Sequence, residues 1–372
     1  MRATSPPRFR RVLILTALLL IVLLLLPMPV AAAPSLAAGS AIVLDVAGGQ
    51  VLFEQASGAV IAPASLTKIM TALVALEHAD PAKRIAIVPT DLVGEASMGL
   101  RAGENLSLET LLYGLLLPSG NDAATAIARG VGAQPGDASG AAGSVRFVGW
   151  MNERAASLGL SATHYVNSHG LDADGQRSSA ADLAHLTGVA WANPTFARIF
   201  GTASYTGEGH SMRHGNRLIG QYDGVVGGKV GLTDGCGFCL VTAAEHAGHR
   251  LVVVVLRDTK EGAFADTTAL LDWAYAQLDT GAFAAPVVVP TPAAAPPSVA
   301  PTAVTPAAAV ATVSSQATAR ATTATPGANT TLGTRGGGLP GERTPPWEEH
   351  RTLLIAAFAV LCSWLIVRRL FV

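Results

Sequence analysis

Three short groups of residues stand out for what their side chains could do together. Ser65-Leu66-Thr67-Lys68 follows Pro63 and opens a helix-like stretch. Residues three apart share a helical face, so the Ser65 hydroxyl and the Lys68 amine lie side by side there. Ser65 also sits where a helix N-terminus favours developing negative charge. This is the layout of an activated nucleophile, provided that a desolvated setting near a second cation lowers the lysine pKa enough for it to act as a base. Ser119-Gly120-Asn121 adds a hydroxyl that can relay a proton and an amide that can hold a carbonyl. Lys229-Val230-Gly231, after Gly227 and Gly228, adds a cation able to bind a carboxylate and a glycine that lets a substrate backbone come close. Taken singly, each group also has an ordinary reading: a helix cap with a surface lysine, a turn with a cap, a lysine on a strand.

Two other clusters carry less. Cys236 and Cys239 form a C-x-x-C, the pattern of a redox or metal half-site. With three cysteines in all, the third being Cys362, the pair reads instead as buried small side chains in a strand. His246 and His249 lie near Glu245 without H-E-x-x-H spacing, so they read as part of a strand-to-strand turn. No metal or cofactor is expected.

The elements that must position the three groups follow from periodicity. Ser40 to Leu52 alternates and then reaches Gly48–Gly49, the pattern of a hairpin. Phe238 to Ala243 and the apolar run Leu251 to Leu256 read as strands. Ser65 to Glu77, Leu108 to Leu116, Asp122 to Arg129, Phe147 to Leu158 and Ala265 to Leu278 read as helices. Strands at both ends and helices between them predict an α/β sandwich with a helical insertion, not regular βαβ alternation.

Composition then divides the chain. Of 372 residues, 50% are apolar, 14% charged and 5% aromatic. So much apolar sequence excludes a wholly disordered protein, and the length exceeds one hydrophobic core. A net charge of −1 with no basic stripe argues against a nucleic-acid partner. Residues 1–33 read as a signal peptide or an uncleaved signal anchor: four arginines by residue 11, the apolar run Val12 to Leu26, then small residues. Residues 38–279, about 240 residues, form the expected globular domain. Residues 281–350 are rich in Pro, Ala and Thr and read as an extended linker. Residues 352–367 read as a transmembrane helix, short at 1.5 Å per residue but flanked by Arg351, Arg368 and Arg369. The positive-inside rule then puts the tail 368–372 in the cytoplasm and the globular domain on the extracytoplasmic face of a cell membrane, with membrane lipid as a partner.

The order S-x-x-K, S-x-N, K-x-G is a signature of penicillin-binding proteins and class A β-lactamases. Here the chain resembles the serine-type D-alanyl-D-alanine carboxypeptidases, the low-molecular-mass penicillin-binding proteins. The stretch SMGLRAGENLSLETLLYGLLLPSGNDAA is similar to that family's second-motif region, Asn167 to Leu171 (NSHGL) to its N-x-H-G-L element, and GNRLIGQYDGVVGGKVGLT to the approach to its third motif. The resemblance implies a β-lactamase/transpeptidase-like sandwich: an antiparallel sheet flanked by helices, with an inserted helical subdomain. It implies that Ser65 attacks the peptide bond between two terminal D-alanines of a peptidoglycan stem peptide. Lys68 would take its proton and Ser119 would pass a proton to the leaving D-alanine. Asn121, Lys229, Gly231 and Leu232 would bind substrate, with the N–H groups of Ser65 and Leu232 as an oxyanion hole. β-Lactams would leave a slow acyl-enzyme on Ser65.

Two departures stand against this. Val230 occupies a position where the family usually has Thr, so a hydroxyl for the substrate carboxylate is missing unless Thr233 or another donor replaces it; one such bond to a charge is worth about 1.5–3 kcal/mol. His214 stands where Asn is common. The alternatives are a membrane-anchored, weakly active or non-catalytic β-lactam-binding homologue, supported by Val230, and a β-lactamase, disfavoured because no Glu-x-x-Leu-Asn element lies between the second and third motifs.

Overall fold

Six apolar residues in a row, Leu251 to Leu256, lie at the centre of the architecture. In the computed structural model, which describes residues 15–18, 32–137 and 140–281, they belong to strand β9 (His249–Asp258). Side chains alternate across a strand. Leu251, Val253 and Val255 therefore face one apolar layer, and Val252, Val254 and Leu256 face another. Burial on both faces explains an uninterrupted apolar run in an antiparallel sheet. The sheet has five strands in the order β2-β1-β9-β8-β7: β1 (Ser40–Asp45), β2 (Gln50–Gln55), β7 (Val225–Thr233), β8 (Gly237–His246) and β9. Every pairing is antiparallel.

One face is covered by α7 (Lys260–Asp279), which contributes Phe264, Leu270, Leu271 and Ala274. The other face carries the helices inserted between β2 and β7. They are α1 (Thr67–His78), α2 (Leu108–Leu116), α3 (Asn121–Gly132), α4 (Gly140–Ser157), α5 (Ala180–Trp191) and α6 (Pro194–Phe200). Thr67 to Ala75 of α1 are all buried, so this helix is enclosed on every side. The sandwich and the helical insertion are as the sequence indicates.

Two small two-stranded sheets and two helices are additions to that reading. β3 (Arg84–Ala86) pairs with β4 (Asn105–Ser107), and β5 (Ser204–Gly207) pairs with β6 (His210–Arg213). At three or four residues each, these strands are too short for their alternation to register. Glu208, in the β5–β6 turn, fastens one small sheet to the other: it pairs with Arg84 and accepts from the Ser107 N–H (3.0 Å) and hydroxyl (2.7 Å). α5 and α6 are marked by their caps, Ser179 accepting from the Asp182 N–H and Asn193 from Thr195 and Phe196.

The cysteine reading needs correction. Cys236 and Cys239 are buried, as expected, but they are joined in a disulfide. The β7–β8 turn brings their Cα atoms to 6.7 Å, within bonding range. His246 and His249 do flank the β8–β9 turn, where they meet Asp279 and Asp45.

The chain divides into two units, Met1–Ala293 and Ala294–Val372, the second outside the described residues. The signal segment apart from residues 15–18 and 32–33, the linker from 282 onward and the span 352–367 also lie outside them. Among the described residues no helix is long and apolar enough to cross a membrane.

Candidate active site

Ser65 lies in a 3-10 turn, Ala64–Leu66, immediately before α1. Ala64 holds a left-handed φ of +47°, costly for a residue with a side chain. The turn is pinned from two directions. Gly170 packs so tightly that a Cβ there would lie 1.9 Å from the Ala64 carbonyl oxygen. At Gly231 a Cβ would lie 3.1 Å from Ala64 Cβ and 3.2 Å from Ser65 N. The sequence reading gives Gly231 the task of admitting substrate; in the fold it first admits the Ser65 turn against β7.

Lys68, the second residue of α1, is wholly buried. Its Nζ donates to Ser65 Oγ (2.8 Å), Asn121 Oδ1 (2.8 Å) and the His169 carbonyl (2.6 Å). Burial lowers its pKa to about 7, partly opposed by the negative charges of Asp122 and Glu95. Of the condition that the sequence sets for Lys68 as a base, desolvation is what lowers the pKa, and the nearby charges act against it. Lys229, also wholly buried, donates to Ser119 Oγ and to the Val230 carbonyl, both at 2.7 Å. Burial, and then the charge of Lys68, hold its pKa well below the ordinary lysine value. Ser119 takes a φ of +69°, a second strained residue at the site.

Three of the sequence-chosen residues thus meet directly in one cluster (Ser65, Lys68, Asn121) and two in another (Ser119, Lys229), with Gly231 beside Ser65. Leu232 is 67% exposed at the end of β7. Val230 presents no hydroxyl, and its Cγ2 fills the space where a Gly215 Cβ would lie, 2.7 Å away. The Thr233 hydroxyl oxygen accepts the Cys236 N–H (3.2 Å). His214 is held neutral by burial and by Lys229, its pKa lowered to about 4.

A profile of the family described as D-alanyl-D-alanine carboxypeptidase matches residues 28–260. The chain belongs to this family. Among its curated relatives, the Escherichia coli D-alanyl-D-alanine carboxypeptidase DacD is 34% identical over 258 residues, 64% of this chain and 63% of the relative. The Mycobacterium tuberculosis carboxypeptidase DacB2 is 34% identical over 247 residues, 63% of this chain and 81% of the relative. The chain thus spans 63% of the length of the Escherichia coli relative. Among solved structures, the Streptomyces K15 DD-transpeptidase superposes with a TM-score of 0.64 at 29% identity, covering 66% of this chain and 100% of that one. A D-alanyl-D-alanine carboxypeptidase from Mycobacterium tuberculosis gives 0.61 at 33% identity, covering 67% and 95%. The fold is therefore that of the DD-transpeptidases and penicillin-binding proteins.

In this family member the sequence reading passes over Asp122. Its buried carboxylate accepts the N–H groups of Met98 (3.0 Å), Gly99 (3.2 Å), Leu100 (3.1 Å) and Ala123 (2.8 Å) and the Ser97 hydroxyl (2.5 Å). It thereby fixes the loop whose Gly94 and Ala96 carbonyls hold the Asn121 amide (3.0 Å) and N–H (2.7 Å). Asn121 in turn holds Lys68. An acidic residue in the first turn of α3 is the one local sign of it, and it reads equally well as a response to the helix dipole.

Proposed function

We propose that the chain is a serine D-Ala-D-Ala carboxypeptidase that removes the terminal D-alanine from peptidoglycan stem peptides and is acylated by penicillin. The observation that carries this reading is the Lys68 amine, buried, 2.8 Å from the Ser65 hydroxyl and with a pKa near 7. A neutral amine at that distance can take a proton as the oxygen attacks.

In this reading Ser65 Oγ attacks the carbonyl carbon of the penultimate D-alanine and its proton passes to Lys68. The carbonyl oxygen becomes an anion facing the Ser65 and Leu232 N–H groups, where the N-terminus of α1 adds favourable potential. Collapse breaks the C–N bond. The departing amine takes a proton through Ser119, whose hydroxyl is held by Lys229. Water then attacks the Ser65 ester, releasing the shortened peptide and restoring the hydroxyl. Lys229 holds the substrate carboxylate. Val230 adds no hydrogen bond there, so recognition of the free carboxylate leans on Lys229.

The delivery parts fit this role: a basic and apolar N-terminus for export, a Pro/Ala/Thr-rich tether, and an apolar C-terminus that anchors the domain to membrane lipid on the extracytoplasmic side. A fluorescent penicillin is expected to label the wild-type chain covalently and to leave Ser65→Ala unlabelled with its melting temperature intact. Equal labelling of the two would remove Ser65 from the mechanism.

A further inference from the structure

The β7–β8 hairpin turns through Asp234, Gly235 and Cys236, and the Cys236–Cys239 disulfide closes it. A ring over so few residues gains little from constraining the unfolded chain, so its value lies in local geometry. Cys239 stands opposite Gly231 in the β7–β8 register. Both cysteines are fully buried in the cluster that contains Ala64 and Leu66, on the Ser65 face of the sheet. At this point β7 is held from one side only: its ladder with β8 runs in register from Gly227 to Thr233. β7 is an edge strand. On the far side of β8 the ladder slips beside Cys239, with Phe238 opposite Asp258 but Leu240 opposite Val255, and Arg257 takes a φ of +58°. Two further bonds converge on the same turn: Asp172 accepts the Gly235 N–H (2.9 Å) and Thr233 accepts the Cys236 N–H (3.2 Å).

We propose that the Cys236–Cys239 disulfide is a positioning element for acylation, holding the Gly231–Leu232 edge of β7 against the Ser65 turn where the strand has a ladder on one side only. The bond forms when the two thiols give two electrons and two protons to a disulfide oxidant, which is reduced to two thiols. The proposal rests on the reading of Ser65 as nucleophile, and its effect belongs to the acylation step, because an oxyanion donor that drifts loses its worth in the transition state before it affects binding.

The test compares the oxidised full chain with Cys236→Ser/Cys239→Ser and with wild-type chain refolded under reductant, its mass two hydrogens greater. Acylation by a chromogenic β-lactam is resolved into an encounter constant, a first-order acylation rate and the fraction of protein that can be acylated. The expected result is an acylation rate lower by about ten- to a hundred-fold in both preparations, with the encounter constant and the acylatable fraction unchanged. A rate within twofold of the oxidised chain overturns the proposal. So does a lower acylatable fraction whose remainder reacts at the normal rate, or failure of both preparations to fold, since each makes the bond merely structural. If the oxidised wild-type chain is itself never acylated, the functional reading fails instead.

Discussion

Lys68→Ala is expected to lower the rate of acylation by about 10³-fold, and the wild-type rate is expected to rise with pH through about 7. Both follow from one buried amine. Lys68 is excluded from water, and burial disfavours its charged form enough to bring the pKa to about 7, with Asp122 and Glu95 limiting the fall. Only the neutral amine can accept the Ser65 proton. Below the pKa the neutral fraction, and with it the rate, falls about tenfold per pH unit; above it the rate levels off. A lysine at its ordinary value of 10.5 would give a rate still climbing through the alkaline range. Stopped-flow acylation across pH checks this. A profile flat through neutrality, or a Lys68→Ala variant acylated at the wild-type rate, would show that Lys68 is not the base.

Gly170→Ala is expected to cost about 3 kcal/mol of stability, roughly 10 °C in melting temperature, and to slow acylation sharply. Gly170 has a φ of +92°, and a Cβ there would sit 1.9 Å from the carbonyl oxygen and 2.5 Å from the carbonyl carbon of Ala64. Those are backbone atoms of the strained turn that carries Ser65, so relief of the clash moves the nucleophile. Gly103→Ala is the control: its φ is +93°, but no atom lies within 4 Å of the added carbon. The control pays only for the backbone conformation and keeps its acylation rate. Calorimetry and acylation kinetics on the pair separate the two effects, and equal losses at both positions would contradict the wedge.

The reach of the sequence depended on the length of the signal. β9 is legible because its apolar run is unbroken, α2 because Leu108, Leu111, Leu112, Leu115 and Leu116 recur at helical spacing, and the helix after Pro63 because a motif and a helical face coincide. The first motif foretells that Ser65 and Lys68 meet, since residues three apart share a helical face; the contacts of Asn121 with Lys68 and of Lys229 with Ser119 cross between motifs and are not written in any one of them. What they could not reveal was held by the backbone: the left-handed Ala64, the Gly170 contact from a distant loop, and the carbonyls of Gly94, Ala96 and His169 that orient Asn121 and Lys68. Any residue supplies a carbonyl, so these partners leave no trace in residue type. Asp122 was hidden for a related reason, because its acceptors serve N–H groups of a loop without periodicity. The disulfide is not legible because pairing depends on the turn at Asp234–Cys236, which C-x-x-C spacing does not specify.

D-alanine release from a pentapeptide ending in D-Ala-D-Ala, followed for the wild-type chain and Ser65→Ala, tests the central claim most directly. The account predicts one D-alanine per peptide from the wild-type chain and none from Ser65→Ala. Release by Ser65→Ala at the wild-type rate would contradict it, and so would a folded, penicillin-acylated wild-type chain that frees no D-alanine.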